Sequence, residues 1–480
     1  MKNLNGLDRR TGIPGRRPMR FPYGQGTLSP LSSRHWGLVF GCVLATAMLA
    51  ATLAGDHSYA STQVPAKAQD HPIALVGGTI HPVNGSDIAN GTVVFDKGKI
   101  VALGPNVTIP ADAEKIDVTG KHVYPGLIDA NTAIGLTEIG EVRATNDRSE
   151  VGPINPNAKV QVAVNPESEL IPVARSNGVT LVLTTPSGGV ISGTSALLYL
   201  DGWTWEDMTF KAPVGMHVNW PSMVPRTAWW MQEPEEKQLE NRDKALNDIR
   251  NAFADARAYM TAKQAEATPG IPYHNFDSRW EAMIPVLEGK LPLIVNADQI
   301  QQIQAAVAFA EKEKVKLIID GGYDAPLCAD LLKRNSVPVI VDGTHYEPQR
   351  ADDPYDNPFT LPERLRQAGV TFCISGGGDA ANVRNLPYHA ATAVAYGLPK
   401  EEGIKAITLY PAQILGLDDR VGSLESGKDA TIIVTTGDPL EIPSQVTLEF
   451  IQGKKIDLSD KQKILYEKYK EKYRRMGIGN

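Results

Sequence analysis

The chain has 480 residues, 42% of them apolar and 21% charged, so it can bury a sizeable core and is long enough for two or three domains. Its 48 basic residues are outnumbered by 55 acidic ones, which argues against nucleic acid as a partner. Three cysteines exclude a disulfide scaffold, and a single long uncharged apolar stretch excludes a polytopic membrane protein.

That stretch covers residues 35–55, between Arg34 and Asp56, and follows a leader carrying Arg9, Arg10, Arg16, Arg17 and Arg20. A basic flank before an apolar run is held inside while the rest of the chain crosses. Ser58-Tyr59-Ala60 is a small-x-small triplet suited to signal peptidase, and the run is also long enough to span as an uncleaved anchor. Residues 1–60 therefore predict a signal peptide or a one-helix membrane anchor. Either fate exports the protein, and membrane contact is expected only through this segment.

Residues 61–71 are a polar linker. Over 72–124 the runs IALVGGTI, TVVFDKG, KIVALG and KIDVTGKHVY read as short strands of a small antiparallel sheet, separated by Asn-Gly, Lys-Gly and Gly-Pro turn signals. From Pro125 the rhythm changes. Apolar runs (GLIDA, VTLVLTT, LPLIVNAD, KLIID, VPVIV, VTFCIS) alternate with helical stretches such as Asp243–Gln264 and Gln299–Glu313. Apolar strands bounded by helices indicate a parallel sheet buried on both faces, and residues 125–417 have the length of a βα barrel. After it, residues 418–458 return to short strands. The simplest packing joins them with 72–124 in one composite sheet domain. Residues 459–480 form a charged helix, with Ile464, Leu465, Tyr469 and Tyr473 on one face predicted to pack.

Two signatures, in order and at the right separation, resemble the amidohydrolase superfamily and within it the imidazolonepropionase-like branch. The first is Pro125-Gly126-Leu127-Ile128-Asp129, where that family leaves its β-sandwich for the first barrel strand. The second is Thr408-Leu409-Tyr410-Pro411-Ala412 and Ile414-Leu415-Gly416, then Gly422-Ser423-Leu424-Glu425-Ser426-Gly427-Lys428-Asp429-Ala430, with Thr431 where the family usually has Asp. The resemblance covers most of residues 72–458. It implies a TIM (β/α)8 barrel plus a composite β-sandwich, a divalent metal such as zinc, and a hydrolase acting on carbon–nitrogen bonds other than peptide bonds.

The resemblance also implies where the metal ligands stand, and there the chain departs from it. The His-x-His positions hold Asn131 and Ala133, and a later histidine position holds Asn296. Gly322-Tyr323 occupy the next, and the last strand ends without an acid, Asp379 following several residues on. An amide is a weak donor and a methyl group is none, so no cofactor is expected and Asn131 and Asn296 are predicted to face each other across the mouth, bridged by water. His345, His389, Asp379 and Glu138 are the weak candidates for a replacement centre, His345 and Asp379 foremost. His389 reads more simply as a helix histidine packed on the barrel. Cys328 and Cys373 read as buried free thiols, and no Gly-x-Ser-x-Gly elbow occurs. The loops Ser187-Gly188-Gly189 and Ser375–Asp379 read as backbone closures, and Trp203, Trp205, Trp220, Trp229 and Trp230 as a lid or packing surface. Two functions stay open: carbon–nitrogen hydrolase, or a degenerate metal-free barrel that binds a small molecule or partner without turnover.

Overall fold

Turn chemistry organises the first layer. Lys97 and Gly98 both take positive φ, and this two-residue turn folds β2 (Ile88–Asp96) back on β3 (Lys99–Gly104). The computed structural model describes residues 63–226 and 233–478, within one unit spanning 60–480. The segment expected to direct export, Cys42, Trp229 and Trp230 lie outside those residues. Among the described residues no helix is long and apolar enough to cross a membrane.

β1 (Ile73–Ile80) pairs antiparallel with β2 and parallel with β4 (Glu114–Asp117) and β5 (His122–Pro125). KIDVTGKHVY, expected as one strand, is therefore two, because Gly120 at positive φ turns the chain between them. Both flanks of the barrel enter this sheet. β16 (Ile432–Thr435) lies antiparallel to β5, with Ile433 opposite Tyr124, and carries β17 (Val446–Ile451) on its other edge. Leu75, Val93, Phe95 and Val123 from the first flank share one buried cluster with Ile432, Val434 and Phe450 from the second.

The barrel begins at the Pro125-Gly126 signature. A Cβ at Gly126 would stand 2.1 Å from the Thr180 hydroxyl, so only glycine lets the chain pass from β5 into β6 (Leu127–Thr132). β6 runs parallel to β7 (Val179–Thr184). Farther round, β11 (Met216–Asn219), β12 (Leu293–Ala297), β13 (Leu317–Gly321), β14 (Val339–Val341) and β15 (Phe372–Ile374) are parallel neighbours. Ala406 and Ile407 bridge the seam, their carbonyls accepting from Ile374 and Ile128 N–H at 2.9 Å. Alternate residues fill the interior: Ile128, Leu181, Leu197, Ile294, Ile318 and Ile340 are all buried. The opposite faces pack under helices such as Glu235–Ala265 and Ile300–Glu313.

The sheet is not parallel throughout. β8 (Ile191–Thr194) and β9 (Ala196–Tyr199) form one interrupted stave that lies antiparallel to β7 through β9 and to β11 through β8. The connection from β7 is only six residues, too short for a helical crossover, so the chain returns as a hairpin. The last helix, Lys461–Arg475, departs from expectation as well. None of its residues is buried, so the face predicted to pack is exposed.

Candidate active site

Three strand ends bring together side chains that lie far apart in sequence. Asp320 closes the apolar run of β13, Asp342 follows β14 directly, and Asn131 stands near the end of β6. The Asn131 amide nitrogen donates to both carboxyl oxygens of Asp320 at 3.1 Å and to Asp342 at 3.0 Å. Its oxygen accepts from the Thr185 hydroxyl at 2.8 Å, which fixes the orientation of the amide. Asn296 hydrogen-bonds Asp320 from β12. The Asp320 carboxyl thus takes a hydrogen bond from each of the two asparagines.

Crowding of acids sets the protonation. Burial holds the Asp320 carboxyl well above the usual carboxylate range, and the nearby charges of Asp342 and Asp298 push it further. Burial and Asp298 raise Asp342 too, while hydrogen bonds from Asn131 and Asp320 oppose the rise. Two like groups this close cannot both be charged at low cost, which is why both carboxyls are held above their ordinary range. Asp298 is held by a Gln349 amide donor at 3.0 Å and by the Tyr323 N–H at 3.3 Å.

Below this pair, Asp129 is fully buried. One of its oxygens accepts from the Gly376 N–H at 3.0 Å and the Asn131 N–H at 3.2 Å; the other has no partner. Burial pushes its pKa up to about 7 against those two bonds. A Cβ at Gly376 would come within 2.7 Å of the unpaired oxygen, so glycine there makes room for the carboxyl. The Ser375–Asp379 loop is committed to closing the barrel: Gly378 N–H donates to the Asn131 carbonyl at 3.2 Å.

A cavity of about 220 Å3 opens beside the acid pair, lined by Asp342, Asp298, Tyr323, Tyr346, Glu347 and Gln349. Asp342 is half-buried at its wall, whereas Asp320 is buried behind it. Tyr346 donates to the Gly377 carbonyl at 3.2 Å, and burial among the acids pushes its phenol up to about 12.

The sequence candidates fall elsewhere. Ala133 is buried in the apolar core. His345 stacks on His389 at 4.1 Å and bonds the Tyr388 carbonyl and the Thr392 hydroxyl; burial lowers its pKa. His389 accepts from the Thr344 N–H at 3.0 Å, and burial takes its imidazole down to about 3. Asp379 is exposed and caps a turn through Ala381 N–H and Asn382. Glu138 accepts from Ser168 at 2.6 Å. Asp379 and the histidine pair are not joined by any of these bonds. Cys328 and Cys373 are buried free thiols. Sequence reasoning passed over Asp129, Thr185, His217, Asp320 and Asp342. His217 is buried with its Nε2 unpartnered and its pKa lowered by burial to about 3, so it is neutral. An acid directly after an apolar barrel strand was the available signal for Asp320 and Asp342.

The imidazole-held metal implied by the resemblance does not fit this donor set. The Asn131 nitrogen points its hydrogens, not a lone pair, at the mouth's carboxylates, Ala133 has no donor, and Asn296 is bonded to Asp320. Among the described residues no three His, Cys, Asp or Glu side chains are grouped to hold a metal ion.

Comparison with known proteins supplies the family context. The Amidohydrolase family model matches residues 207–457. Amidohydrolase tasK of Hapsidospora irregularis is 22% identical over 401 residues, covering 76% of this chain, which spans 39% of that protein's length. Imidazolonepropionase of Brucella anthropi is 23% identical over 379 residues, 72% of this chain and 87% of the relative. A solved amidohydrolase from Thermotoga maritima superposes with a TM-score of 0.72 at 26% identity, covering 80% of this chain and 99% of that one.

Proposed function

Since the chain belongs to the amidohydrolase family, we propose that it hydrolyses carbon–nitrogen bonds other than peptide bonds in a small molecule, with the Asp320–Asp342 pair as its acid–base group. The carrying observation is the pair itself: two carboxyls raised by burial, both held on the one Asn131 amide, with Asp342 at the cavity wall. Groups whose pKa is moved toward neutrality in a cleft are suited to proton transfer. In its ionised form Asp342 takes a proton from a water attacking the carbonyl carbon. The C–N bond breaks as the pair returns a proton to the departing nitrogen, leaving an acid and an amine. Asn131 orients both carboxyls, and Thr185 orients Asn131.

One observation favours a second reading, a degenerate barrel that binds without turnover. Every polar group of the Asn131 amide is satisfied within the protein, as in a purely structural network. A panel of cyclic imides, ureas and simple amides separates the two. Hydrolysis that falls about 100-fold or more in Asp342→Asn, while the variant keeps its melting temperature, supports the enzyme. Ligand-induced thermal shifts with no product from any of them support the binding barrel.

A further inference from the structure

We propose that the Lys461–Arg475 helix is a lipid-surface element that lies along an anionic bilayer with its tyrosine face among the headgroups. The helix is exposed along its length: Leu465 is 39% exposed, Tyr466 63%, Tyr469 48% and Tyr473 48%. At about 100° per residue these four side chains fall within an arc of about 100° that also holds Gln462 and the following Met476, whereas Ile464, expected on this face, falls on the opposite side. Lys461, Lys468 and Lys472 line one border of that arc, and Lys463 and Lys470 the other. Both glutamates, Glu467 and Glu471, fall on the far side. An apolar aromatic stripe edged on both sides by long cations is the pattern of a helix lying in an interface. Its lysine stems cover apolar surface while their ammonium groups reach the phosphates.

Charge points to the same occupant. The helix carries seven basic and two acidic residues, +5, in a chain of −7, so everything else carries −12. Residues 1–60 carry seven basic and two acidic residues, also +5, so the chain outside these two segments carries −17, and among the described residues this helix sets a strongly basic surface on an acidic body. A second copy would offer acidic surface too, but general acidity does not account for tyrosines bordered by lysines on both sides. The course of the chain adds a further constraint. Gln63, where the described chain begins, donates to the Ser459 carbonyl and, at 3.3 Å, to the Ser459 hydroxyl, just before the helix starts. Seven residues separate it from Gly55, the last residue of the uncharged apolar run, a reach of at most about 28 Å. A bilayer engaged by that run therefore lies within reach of the base of this helix.

Hydrogen exchange over 461–475 in the full-length protein tests the proposal, with vesicles of phosphatidylcholine alone and with phosphatidylglycerol added. The N-terminal segment is present in every arm, so any tethering through it is constant. The expected result is slowed exchange with anionic vesicles only, reversed by about 1 M salt. The protection should weaken roughly tenfold or more in Lys463→Glu/Lys470→Glu and in Tyr469→Ser/Tyr473→Ser, each melting at the temperature of the parent. Unchanged exchange in all arms overturns the proposal, and so does equal protection by neutral vesicles. Protection without vesicles that grows with protein concentration assigns the face to a second copy and also overturns it.

Discussion

Replacing Asp129 by Asn should flatten the pH dependence of stability by an amount that follows from its burial. The group moves from 3.8 in the unfolded chain to about 7 in the folded one. Between those values the folded state binds the extra proton, so its contribution is fully present below about pH 3.8 and is lost as pH rises through about 7. At about 1.36 kcal/mol per pKa unit the full loss is about 4 kcal/mol, of which roughly 3 kcal/mol falls between pH 5 and 8. In Asp129→Asn the amide oxygen can keep both N–H donors, and the amide nitrogen replaces an oxygen that had no partner. The variant's advantage over the parent should therefore be larger at pH 8 than at pH 5 by roughly 3 kcal/mol. Urea unfolding followed by tryptophan fluorescence at the two pH values measures this. Other buried acids titrate in both proteins and cancel in the difference. A parent–variant gap that is the same at pH 5 and pH 8 would refute the assigned protonation.

Removing the shared amide in Asn131→Ala should raise the titration of the acid pair, since its hydrogen bonds lower Asp342. Any hydrolytic activity then needs higher pH, and a pH–rate profile with an unmoved acid limb counts against the pair. Glu449 is buried in β17 with both carboxyl oxygens unpartnered and its pKa raised well above normal by burial, so it weakens the fold as pH rises. Glu449→Gln should raise the melting temperature more at pH 8 than at pH 5, and equal shifts would reject this assignment. Truncation after Gly416 strips β16 and β17 from β5 and uncovers Leu75, Phe95 and Val123. Because whole domains hold only about 5–15 kcal/mol, cooperative melting should disappear rather than shift, and a soluble product melting near the parent temperature would deny the shared sheet that role.

The apolar runs that became β7, β12, β13, β14 and β15 were legible because a strand buried on both faces must be apolar almost throughout, whatever its neighbours. Pro125-Gly126 was legible as the start of the barrel through the family signature, and the structure alone shows its physical reason, a backbone that tolerates no Cβ against Thr180. The reversed stave of β8 and β9 was not, because strand direction is set by which edge the chain pairs with, and the apolar pattern is the same either way. The acid pair was hidden for a related reason. Asp320 and Asp342 lie on neighbouring strands whose register puts Asp320 opposite Ile340, and Asn131 reaches them only because the barrel curves round to bring β6 to the same mouth. Sequence fixes which residues carry carboxyls and amides. Their raised pKa values arise only where the fold buries both carboxyls and brings them onto the one Asn131 amide.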